Sequence, residues 1–437
     1  MKKLVYTLTA LIAMSGFTKA QESVYPSQEN KGLLFITNGT VHVGNGTVLE
    51  NATIKINNGK IVEVGTNIAI PSSDAQVITA KGKQVYPGLI LSSSDVGLKE
   101  ISNGVRASND YQEIGEYNSD VRSITAYNTD SRVINVLRSN GILLASVNPE
   151  GGIITGSSSV VQFDAWNWED AVYKMDAGIH LNMPSFVVRF GRRGGVTAAG
   201  AGTPDPTKIA LDKVEEIKKF FREAKAYNQE NVHTNTNLKL ESTKGLFEKK
   251  QKLYIHADQV KQMLVAIDFV KEFNFDVVIV GGSESFQIAE ILKSANIAVI
   301  LSEEHALPAT EDDDIDQPYK TPAVLQKAGV LFSLNDNSDN TRYRNVSYNA
   351  GTAATYGLTK EEALSAITLN AAKILGVDDK TGSIEVGKDA NIIITAGDIL
   401  DMKSSTVEQA FIQGRKISLE NKQTQLYERY KYKYGIK

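Results

Sequence analysis

Between residues 250 and 376 the chain alternates short apolar runs with helical stretches, and no other feature restricts its fold as strongly. "KLYIHAD" precedes the helical "QVKQMLVAIDFVKEF", and "FDVVIVGG" precedes "SFQIAEILKSA". "IAVILSEE" is followed, after an acidic stretch, by "TPAVLQKAG", and "VLFSLNDN" leads eventually to "TKEEALSAITLNAAKILG". The run centres lie roughly 24 residues apart, the spacing of βα units joined by short loops. Four such units are half of a barrel. Upstream, "SNGILLASVNP", "SVVQFDA" and "SFVVRFG" supply further β segments whose order is open. The Gly-rich basic segment 189–206 lacks the spacing of a phosphate-binding loop and reads as a surface loop.

Both ends of the chain have a different texture. From Gly32 to about Ile70 the sequence is short β segments and turns, and Asn58-Gly59 marks a hairpin because both residues tolerate positive φ. The same style returns in "GSIEVGKDANIIITAGD" and "VEQAFIQGRKIS". Neither set can bury an apolar face alone, so residues 31–85 and 376–420 are expected to form one composite β-sandwich around a barrel at 86–375. The expected class is therefore α/β, a (β/α)₈ TIM-type barrel with a small β unit made by both chain ends.

The first twenty residues, "MKKLVYTLTALIAMSGFTKA", carry two lysines, an apolar run and small residues before a cleavage point, the pattern of a secretory signal. The apolar run is shorter than the roughly 20 residues of a spanning helix. Export to the periplasm or medium is expected, with no membrane attachment after cleavage. With 47 basic and 51 acidic residues the net charge is -4, and loss of Lys2, Lys3 and Lys19 takes it to about -7, so nothing favours a nucleic-acid partner. The chain has no cysteine, which removes disulfides and thiolate metal ligands.

The stretches "VITAKGKQVYPGLI" and "LSAITLNAAKILGVDDKTGSIEVGKDANIIIT" resemble the entry to and exit from the barrel of the amidohydrolase superfamily, in particular its secreted imidazolonepropionase-like and dipeptidase-like members. The resemblance implies metal ligands at the C-terminal ends of barrel strands. It implies His-x-His on the first strand, where residues i and i+2 point to one side. Here Ser93 and Asp95 stand at those positions in "LSSSDVG". His256 in "YIHAD" matches the strand 5 histidine, Gly281 occupies the strand 6 histidine position, and Asp336 matches the strand 8 aspartate that takes a proton from bound water. The position of the strand 4 lysine is not identified by the sequence, and Arg189 in "VVRFG" could not be carboxylated.

Two family donors, His256 and Asp336, therefore survive. Asp95 with His256 and Asp336 would give one nitrogen and two oxygens, enough for a single weakly held zinc or manganese ion, or for none. Ser93 is a candidate substrate contact, and Glu284, Glu303 and His305 are candidate substrate contacts or replacement ligands, while Glu and Asp residues in loops are more often simply solvated. His180 stands where a loop would bring it near the barrel mouth. The resemblance implies hydrolysis of a C–N bond in a small amide, cyclic amide or dipeptide, with Asp336 as proton acceptor. The missing histidines imply the alternative, a catalytically degenerate barrel that binds a small molecule or peptide, or that supports an oligomer or a related active amidohydrolase.

Overall fold

A computed structural model describes residues 25–71, 75–100, 109–186, 205–230, 232–302, 304–308, 312–336 and 340–436. The proposed leader, residues 189–204 of the Gly-rich segment and Glu303 lie outside these residues. Among the described residues no helix is long and apolar enough to cross a membrane.

The strands before the barrel are β1 (Leu33–His42), β2 (Val48–Asn57), β3 (Lys60–Gly65), β4 (Ala75–Thr79) and β5 (Gln84–Pro87). Those after it are β14 (Ile392–Thr395), β15 (Val407–Ile412) and β16 (Arg415–Ile417). All eight belong to one sheet, in the order β16-β15-β14-β5-β1-β2-β3, with β4 paired to β1. The junction is β5 against β14, antiparallel, with Pro87 opposite Ile392 and Gln84 opposite Thr395. The β2–β3 hairpin turns at Asn58 (φ +48°) and Gly59 (φ +79°), as the Asn-Gly pair predicts. Leu34, Ile36, Ile54 and Ile56 pack with Ile392, Ile394 and Phe411 in a core of their own, so apolar surface from both ends is buried together.

The second sheet comprises β6 (Leu89–Ser94), β7 (Ile142–Val147), β8 (Ile154–Gln162), β9 (Val172–Asn182), β10 (Lys252–Ala257), β11 (Val277–Gly281), β12 (Ala298–Leu301) and β13 (Phe332–Leu334), in sequence order around a nearly closed barrel. Its two end strands meet through side chains: Ser92 Oγ and Ser333 Oγ are 2.8 Å apart, and Asn335 Nδ2 donates to Ser93 O at 2.7 Å. Helices such as Pro206–Gln229, Val260–Phe273 and Gln317–Ala328 link the parallel strands β9 to β13.

One strand departs from the expected all-parallel pattern. β8 runs antiparallel to both β7 and β9. Only residues 148–153 join β7 to β8, too short a link for a crossover helix, so the chain turns back on itself. As a result the 148–153 loop and the start of β8 stand at the barrel end where β6, β7 and β10 finish.

A helix at Lys422–Tyr434 follows the last strand, and none of its side chains is buried.

Candidate active site

The mouth is built from the ends of β6, β9, β10 and β13. At the end of β6, Ser93, Ser94 and Asp95 are buried because the strand lies within the barrel wall. Ser93 Oγ donates to Asn148 Oδ1 at 3.0 Å, which also accepts from the Ser94 N–H at 3.0 Å. Asp95 is held from three sides: Tyr343 OH donates to its Oδ1 at 2.7 Å, its N–H donates to that hydroxyl oxygen at 3.1 Å, and Lys99 Nζ lies 3.4 Å from its Oδ2. Burial, followed by the charge of Asp95, pushes the Tyr343 hydroxyl well above its usual range, so it stays a donor.

His256, near the end of β10, is within 2.9 Å of a second imidazole: one ring N–H donates across the gap between His180 Nδ1 and His256 Nε2. His180 lies on β9 rather than in a loop, fully buried and stacked on Tyr254 with ring centroids 4.8 Å apart. Gly178 makes room for that stack, because a Cβ there would lie 2.4 Å from Tyr254 Cε2. Burial lowers the His256 pKa to about 4. Burial, and then His256, hold His180 well below the usual histidine value.

This pair makes stability pH-dependent. Unfolded histidine titrates near 6.5, so the unfolded chain takes up protons first as the pH drops. The contribution is complete above about 6.5 and is lost as the pH falls towards 4. Urea midpoints between pH 7.5 and pH 4.5 are expected to fall more steeply in the native protein than in His256→Gln. Parallel pH profiles for the two proteins would contradict this origin.

Asp336, beyond β13, is fully buried, with Arg342 Nη2 at 3.4 Å from its Oδ2 and Asn349 Nδ2 donating to the same oxygen at 3.3 Å. His305 is exposed and shares a hydrogen bond with Thr352 Oγ1 at 2.7 Å. Partial burial and then Arg342 lower its pKa, against the opposing pull of Asp336. Glu284 closes the end of a helix, accepting from the Val260 N–H at 2.7 Å. At strand 6, Gly281 has φ +105°, and a Cβ there would lie 2.5 Å from Asp258 Oδ1 and 3.3 Å from Ala257 O.

Two cavities meet at His256 and Asn182. The smaller, about 320 Å³, brings Ser93, Asp95 and His256 together with Asn148, Thr155 and Tyr343, while Asp336 is not in its wall. The larger, about 820 Å³, includes Glu284. Sequence reasoning missed Tyr343, Asn148, Thr155 and Arg342. Asn148 follows an apolar strand directly, the position at which barrel enzymes carry functional groups, and that signal would have found it.

The residues do not fit the two-metal centre that the resemblance implies. Among the described residues no three His, Asp or Glu side chains form a group able to hold a metal ion. Two cations, Lys99 and Arg342, stand beside the carboxylates that would have to serve as ligands.

Comparison with known proteins accords with the fold. The sequence profile of the Amidohydrolase family matches residues 184–417. An imidazolonepropionase of Thermoplasma volcanium is 25% identical over 405 residues, 86% of this chain and 93% of that protein. That of Picrophilus torridus is 34% identical over 176 residues, 38% of this chain and 42% of that protein. The crystal structure of an amidohydrolase from Thermotoga maritima superimposes with a TM-score of 0.74 at 26% identity, covering 88% of this chain and 99% of that one. A prolidase complexed with N-methylphosphonate-L-proline shares the fold at a TM-score of 0.54 and 16% identity, covering 88% of this chain and 99% of its own. With more than half of its length matched by the profile, and with a barrel and a two-ended sheet that house the mouth described above, this chain belongs to the amidohydrolase family.

Proposed function

We propose that this amidohydrolase-family protein binds a small polar ligand at the barrel mouth and does not perform the two-metal C–N hydrolysis implied by its resemblance. One observation carries the reading: the two surviving family donors and Asp95, the candidate replacement, are each already engaged by a protein group. Asp336 pairs with Arg342, Asp95 with Lys99 and Tyr343, and His256 Nε2 with His180 Nδ1. A dication among them would meet two like charges and would have to break existing hydrogen bonds. The ligand is a small molecule or short peptide, captured outside the cytoplasm if the leader exports the chain. Association with an active relative is the corresponding role for a barrel of this kind.

A second reading keeps hydrolysis of a small or cyclic amide or a dipeptide, with an altered centre. It is favoured by the match along 93% of an imidazolonepropionase and by the two neutral imidazoles side by side. On that reading Asp95, His256 and Asp336 would hold one zinc or manganese ion weakly, and Asp336 would have to give up Arg342.

Elemental analysis of purified protein, combined with assays on Xaa-Pro dipeptides and imidazolone-type cyclic amides, separates the two. The expected result is substoichiometric metal, no hydrolysis, and an unchanged melting temperature after dialysis against a chelator. Two tightly held ions, with brisk hydrolysis lost in His256→Ala, would overturn the proposal.

A further inference from the structure

We propose that the smaller cavity of the mouth takes an ammonium group, so that the ligand is an amine or the free amino end of an amino acid or short peptide. The inference deepens the ligand-binding reading above and rests on it.

The first observation is a side chain aimed by a backbone irregularity. Strand β8 pairs with β9 at Ile154 and again at Gly156, with a shift of register between them, so Thr155 is the extra residue of a bulge. Bulges redirect side chains, and they occur in barrels beside functional sites. Gly156 takes φ +129° immediately after it, and a Cβ there would lie 2.6 Å from Val121 O. Thr155 faces the cavity, is 2% exposed, and its Oγ1 has no hydrogen-bond partner. A buried hydroxyl left unpaired is unfavourable unless something in the cavity satisfies it.

The second observation is charge. Asp95 and Glu150 both line the cavity, and among the described residues no lysine or arginine does. Lys99 stands 3.4 Å from Asp95 and its charge also acts on Glu150, one cation against two carboxylates. Glu150 donates its backbone N–H to Tyr111 O at 2.7 Å, but its carboxylate has no hydrogen-bond or ion-pair partner among the described residues. Although Glu150 is exposed as a residue, burial around its carboxyl and then Asp95 raise its pKa, with the charge of Lys99 opposing them. The adjoining cleft continues the sign, with Asp258, Glu284, Glu304 and Asp313 in its wall and no lysine or arginine among the described residues.

An ammonium seated here donates to Glu150, to Thr155 Oγ1 and to the Asp95 side of the cavity. A carboxylate in the same place would face two anions. The ligand class is therefore opposite in charge to the carboxylate-bearing end of a propionate.

Isothermal titration of the full-length protein with L-alaninamide, propionamide and propionate tests this, because the three are close in shape and differ in charge. Alaninamide is expected to bind more tightly than either of the others. Glu150→Gln should weaken it by about tenfold or more and Thr155→Val by several-fold, as charged and neutral hydrogen bonds are lost. Both variants keep the fold, Glu150 being exposed and valine matching threonine in shape; melting curves check that. Tighter binding of propionate, equal affinity in Glu150→Gln, stabilisation by Zn²⁺ or Mn²⁺ alone, or no binding by any probe would each overturn the inference. Propionate or propionamide binding without alaninamide binding would leave the ligand-binding reading standing and sink only this one. Amide hydrolysis with tightly bound metal would sink that reading independently of the charge preference.

Discussion

Gly281→His is expected to destabilise the protein by roughly 3–5 kcal/mol and to add no metal. This is the substitution that would restore the strand 6 histidine of the family. At φ +105° an L side chain is strained whatever space surrounds it. The overlap with Asp258 Oδ1 can be relieved by turning a side chain, but the 3.3 Å approach to Ala257 O is to backbone. Companion changes fare little better. Ser93→His places an imidazole where a buried hydroxyl bonds Asn148, and Asp95→His strands Lys99 and Tyr343. Thermal melts of Gly281→His and Gly281→Ala, with elemental analysis of the triple variant, provide the check. A triple variant that melts like the native protein and carries two ions per chain would show that the strand has kept room for the ligand.

Asp164→Ala is expected to cost about 3–5 kcal/mol, because it leaves a buried guanidinium without its counter-ion. Asp164 is buried with Arg138 Nη1 at 3.4 Å and Arg415 Nε at 3.6 Å, and it accepts from the Ser27 N–H at 3.1 Å. Burial raises its pKa, opposed by Ser27 and the two arginines, while burial lowers that of Arg138. The cluster joins the second residue after β8 to the helix that carries Arg138, to Ser27 and to Arg415 of β16. Urea unfolding of Asp164→Ala against native protein measures it, and a change under about 1 kcal/mol would show that water screens the arginines more than their burial implies.

How far the sequence could be read depended on what each segment had to encode. β10 to β13 were legible because each is an apolar run followed by a helix, and that order forces a parallel pairing. β8 was not, since the stretch "SVVQFDA" marks a strand without carrying a direction; its sense is set by the short 148–153 link. The joint sheet followed from two incomplete apolar faces. In the mouth, Ser93, Asp95 and His256 were placed by strand position and share one cavity wall. The neighbours that define their chemistry come from distant segments: Tyr343 is 248 residues from Asp95 and His180 is 76 from His256. No local pattern announces such a contact. Glu284 illustrates the opposite error, an acid on the correct face whose carboxylate is engaged at a helix end.

The pairing of β5 with β14 also sets a timetable. Roughly 300 residues separate the two strands, and at ~5–20 residues per second their partner arrives about 15–60 s after β5 has been made. Through that interval the N-terminal strands present an open edge, the kind of surface on which wrong chains pair. The seam between β5 and β14 therefore closes late in assembly, and a ribosome-bound chain halted before Ile392 should lose β1 to β5 to protease while the finished protein keeps them.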